Sequence, residues 1–235
     1  SAEGQLSSGT YRLEGNISSQ FLTGLLFALP LCEGDSEIQI DGILESAGYV
    51  DLTLSALTAF GITVENQNYN IFRIPGGQRY QPTDYTVEPD YSQAAFFLAA
   101  GAIGGTVCVR GMKNDSLQGD RKILSILQNM GIEIRKTENG LCAERISHRS
   151  SVIDAADCPD IIPIAALVAA VTEGKTEIIN ASRLRIKECD RLAATVSELN
   201  NIGGRVEEYP DKMIIFGQKK LRGGTFDSHN DHRMA

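Results

Sequence analysis

Three stretches decide the fold: DLTLSALTAFGITVE over residues 51–65, DRKILSILQNMGIEIR over 120–135 and DRLAATVSELNNIGGRVEE over 190–208. Each opens on an aspartate, runs through a helix-length apolar segment, meets a glycine and passes into alternating, strand-like residues. The leading aspartates, Asp51, Asp120 and Asp190, are separated by 69 and 70 residues, so one unit recurs along the chain. Ahead of each lies a second apolar helix: SSQFLTGLLFALP from Ser18, SQAAFFLAAGAIGG from Ser92 and DIIPIAALVAAVTEG from Asp160. Alternating segments follow the first helices (EIQIDG, TVCVRGM, KTEIINA), and strand pairs such as ITVENQNYNIFRI and VEEYPDKMIIF follow the second. Short turns at Asn-Tyr-Asn and Pro-Asp-Lys make hairpins of those pairs. The unit is therefore β-α-β-α-β-β, an α/β (α+β) fold. Gly61, Gly131 and Gly203 stand just past the second helices, where a residue free to take positive φ ends a helix without strain.

Counting one repeat on from Asp160 reaches the terminal SHNDHRMA, so the last residues are expected to begin the first helix of a further unit. With no methionine at the start, the sequence reads as an excised part of a longer protein. A truncated helix would leave an apolar patch, favouring self-association of the fragment.

Composition narrows the function. At 235 residues and 42% hydrophobic, the chain can bury one large core or two modest ones. A net charge of −8 argues against nucleic acid, which needs a basic stripe. The longest apolar run, 161–171, is too short to span a bilayer, so no membrane partner is expected. Five cysteines, odd in number and without CxxC spacing, fit reduced thiols in a cytoplasm and no metal site.

Positive charge is local. Lys187, Glu188 and Arg191 gather near the start of one repeat helix, Asp160 opens another, and His232 and Arg233 lie near the end of the sequence. Ser18, Ser19, Gln20 and Tyr49 fall at other helix starts, where serines usually serve only as caps. Cations at those ends oppose the helix dipole, which points instead to an anionic ligand carrying phosphate or carboxylate groups. Spacing i, i+4 predicts Lys187 and Arg191 on one helix face. Glu188 and Asp160, carboxyls beside cations, are candidates for acid and base.

The segments GNISSQFLTGLL (15–26), SAGYVDLTL (46–54), SLQGD (116–120), RLRIKECDRL (183–192) and NDHRMA (230–235) resemble the successive signatures of the EPSP synthase family. The resemblance implies inside-out α/β barrel domains of three such units each, with residues 1–88 ending one domain and 89–235 forming most of the next. It implies transfer of the enolpyruvyl group of phosphoenolpyruvate to the 5-hydroxyl of shikimate 3-phosphate, with release of phosphate and no cofactor. Ser18, Ser19, Gln20, Ser46, Tyr49, Asp160 and Lys187 would hold shikimate 3-phosphate. Gln20, Glu188, Arg191, His232 and Arg233 would surround phosphoenolpyruvate. Asp160 would take the hydroxyl proton and Glu188 would protonate the methylene carbon. The intact enzyme is expected to be a cytoplasmic monomer, and this part alone inactive. Where many relatives have Ser-Lys-Pro-Tyr, this chain has Ser46-Ala47-Gly48-Tyr49, and Arg183 stands where some have asparagine. The alternatives are UDP-N-acetylglucosamine enolpyruvyl transferase, a nucleic-acid end-processing protein of similar repeats, and an inert structural fragment.

Overall fold

The computed structural model describes residues 4–16 and 19–235. The first repeat runs β1 (Thr10–Glu14), α1 (Ser19–Ala28), β2 (Ser36–Asp41), α2 (Ala47–Ala59), β3 (Glu65–Gln67) and β4 (Ile71–Ile74). The second runs α3 (Tyr91–Gly104), β5 (Val107–Arg110), α4 (Lys122–Asn129), β6 (Ile132–Thr137) and β7 (Gly140–Arg145). The third runs β8 (Val152–Asp154), α5 (Ile162–Ala170), β9 (Gly174–Ile179), α6 (Arg191–Asn201), β10 (Val206–Glu208) and β11 (Met213–Gly217).

First and third repeats are wired alike. β1 lies parallel to β2, which pairs antiparallel with β4, itself antiparallel to β3. In the same way β8 lies parallel to β9, β9 antiparallel to β11, and β11 antiparallel to β10. Parallel neighbours need a crossover, and the first helix of each repeat supplies it. The second repeat has the antiparallel sheet β5-β7-β6 and, among the described residues, no leading strand. The strands form three open sheets, and no closed barrel appears among the described residues.

Local chemistry explains the boundaries. Asp90 caps α3 by accepting from Ser92 N at 2.8 Å, and Asp190 caps α6 by accepting from Ala193 N at 3.0 Å. Gly61, Gly131 and Gly203 take φ of 78°, 86° and 84°, the left-handed backbone expected past the second helices. Asn68 and Tyr69, both at positive φ, make the tight turn of the β3–β4 hairpin, closed by Asn70 N donating to Gln67 O at 3.0 Å. Asp51 lies inside α2 rather than at its start, and Asp120, itself buried, lies in a 3₁₀ turn before α4.

The chain divides into two compact units, one running to Val87 with Leu117–Gly119, the other comprising Glu88–Ser116 and Asp120–Ala235. The first has a core of Leu22, Leu26, Ile38, Val50, Leu57 and Phe72, drawn from α1, α2 and their sheet. The core of the second is built largely from helices. α5 buries Ile162, Pro163, Ala165, Ala166, Val168, Ala169 and Ala170, because it packs on α3 and α6 as well as on β11. No helix of the described residues is long and apolar enough to cross a membrane.

Two expectations are corrected. From Gln218 to Ala235 no helix or strand forms, so SHNDHRMA does not begin a helix. His229 and Asn230 adopt left-handed backbone, and the segment folds into turns closed by Asp231 N to Ser228 O and Met234 N to Asp231 O. Isolated turns of this kind do not repay the entropy of helix nucleation. The cysteines are not all reduced: Cys108 and Cys142 form a disulfide. They sit directly opposite each other on β5 and β7 with Cα atoms 4.0 Å apart, a pairing set by strand register and invisible in a 34-residue separation. Cys32, Cys158 and Cys189 remain free.

Candidate active site

Two parallel strands followed by helices start those helices at the same sheet edge. In the first unit this places Ser19 and Gln20, at the start of α1, on the same edge as Ser46 and Tyr49, at the start of α2. The two loops are tied by Gly15 N donating to Asp41 O and Glu45 N donating to Gly15 O, both at 3.0 Å. α1 and α2 are linked further along by Thr23 and Thr53 hydroxyls 3.0 Å apart. Ser46 is buried at φ 59°, a left-handed conformation uncommon outside glycine, and its carbonyl accepts from Tyr49 N. Ser18 lies outside the described residues. A groove elsewhere in this unit, lined by Asp35, Ser36, Glu37 and Arg73, contains none of the expected site residues.

The third repeat repeats the arrangement with charge. β8 leads to a 3₁₀ turn, Pro159–Ile161, that carries Asp160 into α5, and parallel β9 leads to another, Ser182–Ile186, that ends at Lys187. Lys187 is extended and precedes the Asp190 cap, so it does not share a helix face with Arg191. Asp190 interrupts the run, and Arg191 is the first residue of α6.

Arg191 is the hub. Its side chain is 1% exposed, and Nη1 donates to Asp160 Oδ1 at 2.6 Å, Nη2 to Glu188 Oε2 at 2.5 Å, and Nε to Asp231 Oδ2 at 2.6 Å. Nη2 also reaches Asp231 Oδ1 at 3.2 Å. A planar fork with five donors suits such multiple carboxylate contacts, whereas an ammonium does not. Lys187 Nζ lies 3.5 Å from Asp160 Oδ1, and Arg233 Nη2 lies 3.9 Å from Asp160 Oδ2.

Arg233 is differently placed. Its side chain is 11% exposed, and Nε and Nη1 are buried without a hydrogen-bond partner among the described residues. Buried donors are almost always satisfied, so two orphaned donors on a cation beside Lys187 mark a place for an anion. Arg233 also borders an open groove of about 230 Å³ shared with Phe96, Pro163, Ile164, Leu167 and Met234.

Residues 2–235 match the defining sequence pattern of EPSP synthase (3-phosphoshikimate 1-carboxyvinyltransferase). The chain belongs to the EPSP synthase family. It is 53% identical to the 3-phosphoshikimate 1-carboxyvinyltransferase of Clostridium beijerinckii and 51% identical to that of Clostridium botulinum strain Eklund 17B, covering 99% of this chain and 54% of each relative. A solved EPSP synthase of Acinetobacter baumannii superposes with a TM-score of 0.78 at 26% identity, over 98% of this chain and 55% of that one. The chain thus spans about half the length of the relatives it matches. Neither the sugar-nucleotide transferase nor the end-processing alternative is favoured by these likenesses.

Of the residues singled out in this EPSP synthase family member, Asp160, Lys187, Glu188, Arg191 and Arg233 come together in one cluster. His232 does not join them: its side chain is 61% exposed and lies 3.8 Å from Asp231. Arg183, the departure from asparagine, donates to Ala156 O at 3.1 Å. Asp231 was missed by sequence reasoning, although it lies within NDHRMA. A lone aspartate in a polar motif looks like a turn former, and only its complete burial against Arg191 shows otherwise.

Burial pushes the Asp160 carboxyl up, but Lys187, Arg191 and Arg233 together outweigh that and hold it below the ordinary aspartate range. Asp231 behaves alike: burial raises it, while the Arg191 hydrogen bond and the Arg233 backbone N–H bring the net shift downward. Cys189, whose Sγ lies 3.5 Å from Asp231, is pushed up to about 11 by burial and that carboxylate, which keeps the thiol protonated and inert.

Proposed function

We propose that this chain supplies one part of the machinery that transfers the enolpyruvyl group of phosphoenolpyruvate to the 5-hydroxyl of shikimate 3-phosphate. Residues 1–88 form the end of one domain of that enzyme and 89–235 most of the next, with the remaining catalytic groups contributed from outside this chain. The observation that carries the reading is the pair of unpartnered buried donors on Arg233, next to Lys187 and Asp160. Guanidinium and ammonium groups converging there suit a ligand bearing carboxylate and phosphate.

In the reaction, Asp160 accepts the hydroxyl proton as the oxygen bonds to C2 of phosphoenolpyruvate, and Glu188, once released from Arg191 and protonated from solvent, delivers that proton to C3. The tetrahedral adduct then loses a C3 proton and expels phosphate, restoring the enol ether. A carboxylate held below its ordinary pKa is a weak base at neutral pH. An anion that engages Lys187 and Arg233 draws their charge away from Asp160 and so raises its basicity when the substrate is present. Glu188, with its side chain 52% exposed, can leave Arg191 for solvent at low cost. Ser18, Ser19, Gln20, Ser46 and Tyr49 would contact shikimate 3-phosphate, and His232 would contact phosphoenolpyruvate.

Phosphate release from phosphoenolpyruvate, with and without shikimate 3-phosphate, tests the reading in the intact protein and in this chain alone. Release by the intact protein that depends on the shikimate ester is expected, with none from the chain by itself. Release that depends instead on a UDP-amino sugar, or that occurs with neither acceptor, would overturn it.

A further inference from the structure

Glu198 is a buried carboxylate that the proposed chemistry does not use. It lies on α6, two turns beyond Arg191, and its side chain is 9% exposed. Arg191, Thr195 and Glu198 fall at i, i+4 and i+7, on one face of the helix, and all three are buried, at 1%, 3% and 6%. Each of them contacts the segment 227–234. Arg191 holds Asp231, the Thr195 hydroxyl lies 3.7 Å from Met234 Sδ, and Glu198 Oε1 lies 3.1 Å from His229 Nε2. Glu198 Oε2 also accepts from Asp227 N at 3.4 Å, a longer and weaker contact.

That segment needs fastening. Among the described residues it contains no helix or strand, and His229 and Asn230 both hold left-handed backbone, uncommon outside glycine and kept where the surroundings enforce it. Its internal bonds fix shape without fixing position: His229 N to Asp227 Oδ1 at 2.8 Å, Arg233 N to Asp231 Oδ1 at 2.9 Å, and Met234 N to Asp231 O at 3.0 Å. Position comes from α6. An apolar residue at 198 would fill the same space beside Leu199 without the desolvation that a buried carboxylate suffers, so packing alone does not account for a glutamate there.

We infer that Glu198, by holding His229 and Asp227, is a positioning residue that sets Arg233 against Asp160 for anion binding. It lines the same groove as Arg233 and acts there through the segment rather than on the reacting atoms. Asp231 is the joint through which the placement is transmitted, since it binds the Arg191 side chain and the Arg233 backbone together.

The inference rests on the function proposed above, and the test separates the two. Glu198→Ala and Glu198→Gln are introduced into the intact protein, and KM for each substrate, kcat and amide hydrogen exchange are measured. Alanine removes both contacts, whereas glutamine keeps a carbonyl oxygen able to accept from His229. Expected for Glu198→Ala is a rise of about tenfold in KM for phosphoenolpyruvate, with KM for shikimate 3-phosphate and kcat within about threefold of wild type, as for a lost binding contribution. Amides of Asp231, Arg233 and Met234 should exchange faster, and Glu198→Gln should restore most of both effects. Unchanged KM for phosphoenolpyruvate in Glu198→Ala, or equal losses for alanine and glutamine on both substrates, would overturn the inference. An inactive wild type would instead sink the proposed function, and the exchange rates would still decide whether Glu198 positions the segment. If Glu198→Ala does not fold, His229→Ala breaks the same contact from the more exposed side and is judged by the same measurements.

Discussion

Arg191 Nη1 lies 2.6 Å from Asp160 Oδ1, although 31 residues separate them, because parallel β8 and β9 start their helices at the same sheet edge. The contact joins the proposed base to a cation that is otherwise fully occupied. With its side chain 1% exposed and held by three carboxylates, Arg191 organises the cluster, while Arg233 keeps donors available for a ligand.

Replacing Arg191 with methionine should therefore damage the fold as well as the site. Asp231, with a side chain 0% exposed, would be left as an uncompensated buried charge, whereas Glu188 can rehydrate freely. A loss of about 3–5 kcal/mol is expected for breaking such a pair from one side. Urea unfolding of the variant should show a lower midpoint with the slope unchanged. A midpoint equal to that of wild type would mean that Asp231 reaches water or becomes protonated on replacement.

Asp160→Asn should separate charge from shape. The amide oxygen can still accept from Arg191, so the fold should persist with the loss of only the stability that the carboxylate charge contributes among its cations, while turnover of the intact protein should fall by about 10²–10⁴-fold, the usual size of a general-base contribution. Turnover within tenfold of wild type would remove Asp160 from that role.

Acid should weaken the second compact unit through Asp160 and Asp231. Both have carboxyl pKa values lowered in the fold, so the folded state favours their charged forms. Their contribution is complete above the unfolded-state value of about 3.9 and is lost as pH falls through the lower folded values. Unfolding free energy measured against pH should drop below about pH 4, and Asp231→Asn should flatten that drop. An identical profile in Asp231→Asn would show that Asp231 contributes nothing to acid sensitivity.

Much of this was legible in the sequence, for a reason tied to spacing. The seventy-residue recurrence depends on local signals, apolar periodicity and helix-ending glycines, and these give the β-α-β-α-β-β element order seen in the first and third repeats, whereas the second has no leading strand among the described residues. The same regularity brought Asp160 and the Lys187–Arg191 stretch to one edge. What stayed hidden depended on tertiary context. Lys187 and Arg191 were expected on one helix face, yet the Asp190 cap places the helix start between them. The terminal SHNDHRMA was expected to be helical, but its turns are fixed by α6 side chains that sequence spacing does not couple to it. Strand register pairs Cys108 with Cys142, and register cannot be read from cysteine positions alone.

That pairing has a direct check. Chain denatured without reductant should present three reactive thiols, Cys32, Cys158 and Cys189, and five after reduction. In the native state Cys158 should react slowest, because burial pushes its thiol up to about 12. Five thiols before reduction would show that register brings the two sulfurs together without a bond between them.

Glu188 offers the sharpest discrimination between competing roles for a side chain at the cluster. Its carboxylate accepts from Arg191 Nη2 at 2.5 Å while its side chain stays 52% exposed, so it competes with an incoming anion for the same guanidinium edge. Glu188→Ala removes one negative charge and frees that edge. Phosphoenolpyruvate should then bind the intact protein severalfold more tightly, while turnover should fall by about 10²–10⁴-fold if Glu188 delivers the proton to C3. Opposite signs for binding and turnover are the signature, since loss of a ground-state competitor and loss of a transition-state group act on different steps. Isothermal titration with phosphoenolpyruvate alongside steady-state kinetics measures both. Weaker binding in Glu188→Ala would place the carboxyl among the groups that hold the ligand, and unchanged turnover would move the proton donor elsewhere.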